Sequence, residues 1–578
     1  MTETIRANLA TPLTLPSGQV IGNRLMKAAL SEGLADSAGA PDDRLARLYA
    51  RWADGGYGLI VTGNVMVDRR HLGEPGNVVV EDDRHLDALT RWSATARHGG
   101  ARLWMQLNHP GRQANPLAGT DKPVAPSAVA PSIPGLPVPR ALSDTEIEEI
   151  VERFATAAEI AERAGFDGVQ IHGAHGYLVS QFLSPSANRR DDRWGGDIAG
   201  RARFLTAIIG AVRTRVSPDF GVGVKLNSAD FQRGGFTEDE SRAVVAMIAA
   251  EPIDLIEISG GSYESPAMMG RPAVAESTRA REAYFLDYAA SVRELAGTVP
   301  LAVTGGFRSR SAMHDAVADG ACDAVGIGRP TAIEPRAPRR LVDGGVDGAA
   351  HRLPTRTVSL PLPAAVRVSL PAVRSLEGAL DLQWHTDQLH RMGAGDDPDP
   401  QRPLWRTAAA AVRRNGLDGI RSRRASGAAA TARARRKFRF ERAVGRYLAN
   451  PAVAALTRAG ISTTMATHLE TVGRRTGRIR AVPVSAAFDP DGAWLISQHG
   501  MRSGWALNIA ADPAVWIRTP DGWRPGTAQV MPDDDVEARA RTFAPHPAAA
   551  GATAAAFRAL ASEPVSVRVT FTDRDETR

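Results

Sequence analysis

The chain has 578 residues, 43% hydrophobic and 23% charged, a composition that excludes a disordered or fibrous protein and leaves room for two or three domains. The formal net charge of +6 is uneven, because residues 413–442 hold eleven Lys or Arg against Asp418 and Glu441, a net of +9, which leaves about −3 for the rest. The single cysteine, Cys322, excludes an internal disulfide and any cysteine-clustered zinc or iron–sulfur site.

The N-terminal residues do not follow the basic-then-apolar layout of a signal peptide. No apolar run reaches the length needed to span a bilayer. We therefore expect a cytoplasmic protein.

From about residue 20 to 330, eight short apolar segments alternate with longer helical patterns. Helices such as Asp144–Ala164 and Thr237–Ala250 begin at the cap residues Ser143 and Thr237. Eight strand–helix units of this total length predict an α/β fold, a (β/α)₈ TIM barrel. The predicted strands are Arg24–Ala28, Gly58–Thr62, Arg102–Leu107, Asp167–Ile171, Val222–Leu226, Ile253–Ile258, Leu301–Thr304 and Ala324–Ile327.

Chemically suggestive residues follow the ends of these strands. In a (β/α)₈ barrel the loops at the C-terminal strand ends build the active site, so this clustering predicts one site. The residues are Lys27 with Ala28–Ser31, Gly63–Asn64, Gln106 with Asn108–His109, His172 and His175, Lys225 with Asn227, Ser259–Gly261, Gly305–Gly306 and Gly328–Arg329.

The fourth strand is followed by His172, His175 and Tyr177. Two imidazoles three residues apart can both donate to one carbonyl oxygen, and a nearby phenol adds a weak acid. This cluster predicts an enzyme that polarises a carbonyl and delivers a proton. His109 either takes part in the site or only orders its loop.

Glycine turns follow the seventh and eighth strands, at Gly305–Gly306 and at Gly328–Arg329. Glycines let backbone amides approach a phosphate, and Arg329 favours the dianion. These turns predict a phosphorylated cofactor, whereas the alternative is that the glycines serve only the tight turns.

The regular pattern weakens after residue 330. Residues 331–412 are proline-rich and contain one helix-like piece, Leu376–Met392, which we interpret as a barrel tail. The predicted domains are therefore a barrel with its tail at 1–412, an Ala/Arg-rich basic linker at 413–437 and a second domain at 438–578.

The second domain begins with a helical pattern at Glu441–Arg458 and continues in short alternating segments, which predict a small split β-barrel. Its predicted strands are His468–Val472, Ile479–Phe488, Trp494–Ser497, Val515–Thr519 and Val565–Phe571.

Residues 8 to about 410 resemble the Old Yellow Enzyme family of FMN-dependent NAD(P)H oxidoreductases. The motif that carries most of this resemblance is His172–Leu178, and the other pieces follow the family's order. They are Pro12–Leu15, Asn23–Arg24, Gln106–Arg112, Phe182–Pro185, Asn188–Arg190, Trp194–Gly196 and the two glycine turns.

The resemblance implies that FMN lies across the barrel mouth. Gln106 would bind its pyrimidine edge, Lys225 would lie near N1 and the C2 carbonyl, and Asn64 also belongs to the implied site. Three residues would lie under the ring, namely Ala28, Ala29 and Leu30.

The resemblance also implies the catalytic roles. His172 and His175 would bind the carbonyl oxygen of an activated alkene, and Tyr177 would protonate its α-carbon while the flavin delivers hydride to the β-carbon. Ser31 replaces a Cys or Thr of the relatives, and Lys225 replaces the more common Arg. Having only Cys322, the chain does not match the iron–sulfur relatives.

A turn at Gly473–Arg480 carries four arginines and two glycines, which suit phosphate or carboxylate groups, although a solvated cationic hairpin is the alternative. Residues from about 440 onward resemble the deazaflavin-dependent nitroreductase family, which binds coenzyme F-420. The implied cofactor contacts are Arg474, Arg475, Thr476, Arg480 and Pro483, with Ser497 and Asn508 lining the pocket. The absence of tyrosine after Tyr447 argues against direct nitroreduction.

These observations predict an FMN-dependent ene reductase for small enone-type substrates, with reduced deazaflavin on the second domain as its hydride source. The alternative is an NAD(P)H-dependent ene reductase whose second domain is independent, degenerate or a membrane-localisation module, since the +9 junction would suit an anionic membrane surface. No motif indicates nucleic-acid binding.

Overall fold

A computed structural model gives the fold. It describes residues 7–115, 118–131, 136–260, 285–343, 351–358, 371–411, 467–474, 477–497, 500–519, 521–544 and 564–572. The chain divides into two compact units, Met1–Ala411 and Val412–Arg578. The predicted basic linker and the predicted helix Glu441–Arg458 lie outside the described residues.

The first unit is a closed barrel of eight parallel strands, which confirms the predicted fold. Leu25–Lys27 pairs on one side with Leu59–Val61 and on the other with Ala324–Ile327, and this double pairing closes the sheet. In the order around the barrel, the strands are Leu25–Lys27, Leu59–Val61, Arg102–Asn108, Gly168–Gly173, Gly221–Asn227, Leu255–Ser259, Leu301–Thr304 and Ala324–Ile327.

Short strands supplement the barrel, and helices surround it. The short strands are Leu13–Thr14 with Val20–Ile21, Val65–Met66 beside Arg102–Asn108, and Val124–Ala125 with Arg140–Ala141. Within the described residues, the helices of the first unit are Asp43–Ala53, Leu86–Arg97, Asp144–Arg163, Leu178–Leu183, Ile198–Arg215, Glu238–Ala249, Leu286–Val292, Arg310–Ala318, Ala337–Asp343 and Pro371–Ala394.

Two of the predicted helix starts are complete capping boxes. The Ser143 hydroxyl accepts from the Glu146 amide, and the Glu146 carboxylate accepts from the Ser143 amide. Thr237 and Glu240 repeat the arrangement at Glu238–Ala249. Because each pair satisfies donors that a helix start leaves open, these local sequences determine where the chain leaves the sheet.

The lower half of the barrel interior is filled by Trp104. Gly168, Gly221 and Gly223 surround its indole, and a β-carbon at any of them would approach an indole atom to 2.3–2.6 Å. The ring is fully buried among apolar side chains from the other strands. The glycines therefore provide the space for one large side chain that closes this end of the barrel.

The tail helix Pro371–Ala394 packs on Asp43–Ala53, the first helix after the barrel's first strand. Trp384 is fully buried, and His390 Nε2 lies 2.9 Å from the carbonyl oxygen of Glu32. The tail thus supports the loop that follows the first barrel strand.

The second unit contains one antiparallel sheet of seven strands. Its edge strands, Ile479–Val484 and Ala486–Asp489, are separated only by Ser485, so the sheet must curl until its edges approach each other, as a half-barrel does. The sheet order is Ile479–Val484, Thr467–Val472, Ala514–Thr519, Gly522–Met531, Val565–Phe571, Gly492–Ser497 and Ala486–Asp489. The described helices of this unit are Gly504–Ala511 and Val536–Arg541.

The sequence interpretation of this unit was wrong in two places. The predicted single strand Ile479–Phe488 is broken at Ser485, because the chain passes there from one sheet edge to the other. Gly522–Met531 was not predicted and forms a central strand. Among the described helices of both units, none is long and apolar enough to cross a membrane.

Candidate active site

His172, His175 and Tyr177 lie together at the end of the strand Gly168–Gly173. The rings of His172 and His175 are 5.0 Å apart, and those of His172 and Tyr177 are 4.9 Å apart, both edge to face. His172 and Tyr177 are buried, and His175 is partly buried. The structure therefore brings the three predicted catalytic side chains into one cluster.

Burial keeps both histidines neutral. Loss of hydration lowers the pKa of His172 and of His175 well below the usual value, and the nearby Lys225 cation lowers both further. The Nδ1 atom of His172 accepts the Ala174 amide at 3.3 Å, so the single proton of its neutral ring must be on Nε2. His172 is therefore a neutral N–H donor.

His175 has a left-handed backbone conformation with φ of 62°, which costs energy for a residue with a side chain. Its amide donates to Asn227 Oδ1 at 3.2 Å, and its carbonyl oxygen accepts from Gln113 Nε2 at 3.2 Å. Its Nε2 lies 3.0 Å from Ser259 Oγ. These contacts, from the ends of two other strands and from the loop after a third, hold the strained loop in place.

A chain of buried polar side chains crosses the barrel interior below this cluster. Lys225 Nζ donates to Glu257 Oε1 at 2.8 Å, and Gln170 Nε2 donates to Glu257 Oε2 at 2.7 Å. Gln106 Nε2 donates to Gln170 Oε1 at 2.8 Å. The predicted cofactor ligands Gln106 and Lys225, which are on different strands, are therefore linked through two residues that were not predicted.

The predicted residues under the ring follow the first barrel strand. The Ala28 amide donates to the Ile327 carbonyl oxygen at 3.0 Å, which continues the sheet pairing by one residue. Ala28 is buried, whereas Ala29 and Leu30 are partly buried. The hydrogen bond fixes the start of this segment at the barrel mouth.

Lys27, which we grouped with these residues, instead points outward between the barrel and the helix Asp43–Ala53. Its Nζ lies 4.1 Å from the Trp52 ring centre and 3.8 Å from Glu32 Oε1. Burial lowers the pKa of Lys27 to about 8. The side chain stabilises the outer wall of the barrel and is absent from the mouth, because it alternates with the inward-facing Met26.

Asn64 lines a small cavity together with Glu32, Asn77 and Trp92. Its side-chain Oδ1 is buried and has no hydrogen-bond partner within the described part of the chain. A buried acceptor without a donor is costly, so this amide is suited to a ligand or an ordered water molecule.

Ser31 is hydrogen-bonded to the Glu74 carboxylate. Burial, with a smaller contribution from the negative charge of Glu32, raises the pKa of Glu74 to about 7. Glu32 Oε1 itself accepts from the Tyr49 hydroxyl at 2.5 Å and from the Gly63 amide at 3.0 Å. The loop beside the predicted ring position therefore contains a carboxyl group that titrates near neutral pH.

The two glycine turns follow neighbouring strands whose ends pair in register. In the first turn, Gly305 and Gly306 have φ values of 140° and 84°, which favour glycine. In the second turn there is open space, since a β-carbon on Gly328 would meet only the Leu30 side chain, at 3.8 Å. Arg329 Nη1 donates to Asp381 Oδ2 on the tail helix at 3.0 Å. A phosphate role for Arg329 stays a prediction.

Asp68, His71 and His109 form a buried group of metal-ligand type. His71 places Nδ1 3.2 Å from Asp68 Oδ2 and Nε2 3.2 Å from the Lys122 carbonyl oxygen. His109 Nδ1 accepts the Gly111 amide, so the proton of its neutral ring is on Nε2, which faces Asp68. The His109 carbonyl oxygen accepts the Leu178 amide. The His109 side chain thus bonds within its own loop, while its backbone holds the chain next to Tyr177.

In the second unit, Arg474 and Asn508 are brought together at the predicted cofactor turn. Asn508 Oδ1 accepts from Arg474 Nη1 at 3.2 Å, and its Nδ2 donates to Thr471 Oγ1 at 3.1 Å. Asn508 belongs to the helix Gly504–Ala511, and Ser497 lies near the start of that helix. The Ser497 hydroxyl donates to the Gly500 carbonyl oxygen at 3.0 Å. The helix Gly504–Ala511 thus connects these predicted pocket residues.

Arg480 and Pro483 lie on the edge strand Ile479–Val484, opposite Thr471 and His468 respectively. Arg480 is exposed, as is Arg474. The predicted contacts Arg475 and Thr476 lie outside the described residues.

Glu257, Gln170 and Gln113 contact the predicted site residues but were not predicted to have a role. Glu257 had a signal in the sequence, since it is a charged residue inside the apolar strand segment Leu255–Ser259. A charge in such a position must have a partner. That partner, Lys225, is 32 residues away, so the sequence alone did not identify it.

The sequence matches two families. Residues 8–347 match the NADH:flavin oxidoreductase / NADH oxidase family. Residues 420–571 match the family of quinone reductases that depend on reduced coenzyme F-420. The two matches cover the barrel and most of the second unit.

Two curated relatives are similar to the barrel. The NADH-dependent flavin oxidoreductase iliE of Hypocrea jecorina (strain QM6a) is 41% identical over 353 residues, which cover 57% of this chain and 88% of that protein. The NADH-dependent flavin oxidoreductase iccE of Talaromyces variabilis is 37% identical over 413 residues, covering 67% of this chain and 98% of that protein.

Among solved structures, a 2-naphthoyl-CoA reductase in complex with 2-naphthoyl-CoA is similar to this chain, with a TM-score of 0.54 and 28% sequence identity. The match covers 58% of this chain and 52% of that chain.

Proposed function

The chain belongs to the NADH:flavin oxidoreductase / NADH oxidase family, and we propose that it reduces activated C=C bonds of small α,β-unsaturated carbonyl compounds, with deazaflavin on the C-terminal domain as hydride source. It is a flavin-dependent NADH oxidoreductase of Old Yellow Enzyme type that carries a quinone reductase domain of the kind that depends on reduced coenzyme F-420. The observation that supports alkene reduction is the cluster of His172, His175 and Tyr177 beside Lys225.

The residues at the barrel mouth fit FMN. Lys225 offers a buried cation and Gln106 a buried amide, both groups that suit the pyrimidine edge of a flavin. The glycine turns at Gly305–Gly306 and at Gly328 leave backbone amides accessible to a phosphate. When bound, FMN would take up hydride from the reductant and transfer it to the substrate's β-carbon.

The two histidines would bind and polarise the substrate carbonyl. His172 has its proton on Nε2, and the neutral His175 can supply a second N–H group. Neutral donors of this kind stabilise negative charge that develops on the oxygen without first requiring a counter-ion. His172 is buried and His175 is partly buried, so water competes little for the His172 donor in particular.

Tyr177 would supply the proton. Its hydroxyl would transfer H⁺ to the α-carbon as hydride reaches the β-carbon, so the product gains two hydrogens and the phenolate is reprotonated from solvent. The hydrogen bond between the Leu178 amide and the His109 carbonyl oxygen holds the adjacent backbone and so orients the phenol.

The deazaflavin role is supported by the turn of the second unit. Arg474 and Arg480 provide exposed cations, and Asn508 holds Arg474 next to the helix Gly504–Ala511. A phosphate and a glutamate tail, as in coenzyme F-420, complement such a surface. We also propose that the domains run from 1 to 412 and from 438 to 578, joined by a basic linker at 413–437.

A second candidate is an ene reductase driven by NADH alone. It is favoured by the two curated relatives, which are named NADH-dependent and are covered over 88% and 98% of their length by 57% and 67% of this chain. In that case the C-terminal domain would act independently.

The test is anaerobic reduction of the purified full-length yellow protein. Reduced coenzyme F-420, NADH and NADPH are mixed with it separately, and flavin bleaching is followed in a stopped-flow instrument. Bleaching by deazaflavin that is slowed in Arg474→Ala, while bleaching by NADH is unchanged, supports the deazaflavin source. Bleaching by NADH alone supports the second candidate.

A matched assay tests the substrate class. Cyclohexenone and its saturated analogue are offered to the reduced protein, and reoxidation is followed without oxygen. Reoxidation by the enone alone supports alkene reduction, whereas reoxidation by neither compound contradicts it.

A further inference from the structure

Glu257 lies at the centre of the polar chain that crosses the barrel. It is fully buried, and both carboxylate oxygens accept a hydrogen bond, one from Lys225 at 2.8 Å and one from Gln170 at 2.7 Å. We propose that Glu257 is a positioning residue that sets the orientation of Gln106 and offsets the charge of Lys225, and so tunes the flavin. This inference rests on the proposed binding of FMN at these two residues.

The orientation follows from hydrogen-bond chemistry. A carboxylate can only accept, so Gln170 must present its NH₂ group to Glu257 and its oxygen to the other neighbour. Gln106 must then present its NH₂ group to Gln170, as the 2.8 Å bond shows. Its own oxygen is therefore turned away from Gln170. One negative charge thus fixes the direction of two amides in series.

A neutral side chain at position 257 would remove this constraint. In Glu257→Gln the new amide could donate to Gln170, and the whole chain could reverse, which would exchange the acceptor of Gln106 for a donor. A ligand that needs the acceptor would then lose a hydrogen bond. Loss of such a bond in a buried site, with its partner left unpaired, should weaken ligand binding about tenfold.

Glu257 also determines how much positive charge the site presents. The Lys225 ammonium and the Glu257 carboxylate are almost completely buried, with side-chain exposures of 3% and 0%, so solvent screens neither strongly. Their charges nearly cancel at a distance. A flavin gains negative charge on reduction, so an unpaired Lys225 would favour the reduced form more than the observed pair does.

The flavin reduction potentials of the variants should form a graded series. In Glu257→Gln the ratio of reduced to oxidised flavin at a fixed solution potential should rise about tenfold. This ratio corresponds to a positive shift of the flavin midpoint potential by about 30 mV for a two-electron couple. Glu257→Asp keeps the negative charge on a shorter side chain and should shift the flavin potential less than Glu257→Gln does. Gln170→Met leaves the ion pair but breaks the link to Gln106, so it should weaken FMN binding about tenfold without a shift.

The experiment is a dye-coupled redox titration of the full-length protein and its variants, with FMN affinity measured by fluorescence. Lys225→Met serves as the reference and should shift the potential to more negative values. If Lys225→Met shifts it but Glu257→Gln and Glu257→Asp do not, the role of Glu257 is wrong and FMN binding at Lys225 stands. If Lys225→Met has no effect, the proposed FMN site itself is wrong. If Glu257→Gln fails to fold, Glu257→Asp decides the question. A positive shift of its flavin potential supports the proposed role of Glu257, and an unchanged potential overturns that role.

Discussion

We proposed a flavin-type cofactor at the barrel mouth and at the turn of the second unit, and these two places present positive charge in different ways. In the barrel, Lys225 is buried and paired with Glu257, and its neighbours are fixed by further bonds. In the second unit, Arg474 and Arg480 are exposed, and of these two described residues it is Arg474 that bonds through its side chain to the pocket residue Asn508. The barrel therefore fixes its charges in advance, whereas the turn presents them to solvent.

This difference determines how each site should respond to change. A buried, bonded group cannot be replaced by water, so its loss should have a large effect that salt hardly alters. An exposed arginine is screened and replaceable, so its loss should have a small, salt-dependent effect. Four predictions test this contrast, beginning with the largest effect.

The largest effect is expected from His172→Ala combined with His175→Ala. Removing both neutral donors should lower kcat/KM for an enone by at least about 10³, about 4 kcal/mol of transition-state stabilisation. Phenol-induced charge-transfer absorbance should also disappear while FMN stays bound. The measurement is steady-state turnover with a phenol titration, and His98→Ala, at an exposed helix end, is the control. Unchanged phenol absorbance would contradict the carbonyl site.

Tyr177→Phe should have the next largest effect. It keeps the ring that packs on His172 but removes the proton donor, so the alkene-reduction step should slow about 10²-fold. Reduction of the flavin by NADH should change less than about twofold, because no proton from Tyr177 is needed there. Stopped-flow measurement of the two half-reactions separates these steps. Tyr288→Phe, which removes a buried hydroxyl bonded to Ser241, is the control.

Glu74 should make the stability of the barrel depend on pH. The pKa of Glu74 in the folded protein, about 7, lies above the usual 4.5. Its stabilising contribution to the free energy of unfolding is therefore fully present below pH 4.5 and is lost as pH rises through 7. Glu74→Gln should therefore unfold less readily than the parent at pH 8, by about 1 to 2 kcal/mol after allowance for its partial exposure. At pH 4.5 no such advantage is expected.

Urea unfolding followed by tryptophan fluorescence at both pH values checks this prediction. The second unit contains the opposite case, since a hydrogen bond from Arg539 lowers the pKa of Asp534. The stabilising contribution of Asp534 to the folded state is lost as pH falls through that lowered pKa. An advantage of Glu74→Gln at pH 4.5 that equals the one at pH 8 would contradict the titration of Glu74.

The smallest effect is expected from Arg474→Ala. Its loss should weaken deazaflavin binding about tenfold at low salt, and the difference should shrink as ionic strength rises. Isothermal titration at two salt concentrations measures it, with the exposed Arg518→Ala on a neighbouring strand as the control. An effect that salt does not change would mean that this turn resembles the barrel mouth after all.

The sequence predicted the barrel well because each of its eight strands is an apolar segment with its own boundaries. Gly522–Met531 lacked that signal, since it contains Gly522, Pro525 and Gly526 and few apolar residues. It is a strand because both of its sides are paired, with Ala514–Thr519 and with Val565–Phe571. Propensity is local, whereas such pairing is decided by distant parts of the chain.

The same limit applies to the site. The spacing of His172 and His175 indicated a shared task, because both follow one strand. The alternation of a strand gives the face of a side chain but not its partner, so the link from Gln106 through Gln170 to Glu257 required the fold. Proximity to a strand end also misled us at Lys27, which lies on the outer face.

The indole of Trp104, which three glycines enclose, determines from which end small molecules can enter the barrel. It blocks the lower end of the barrel as a floor, so the mouth is the entrance to the interior. If the barrel reduces alkenes as we propose, the hydride donor and the alkene would both have to enter through the mouth, one after the other. Each would compete with the other, and an excess of either would slow the cycle.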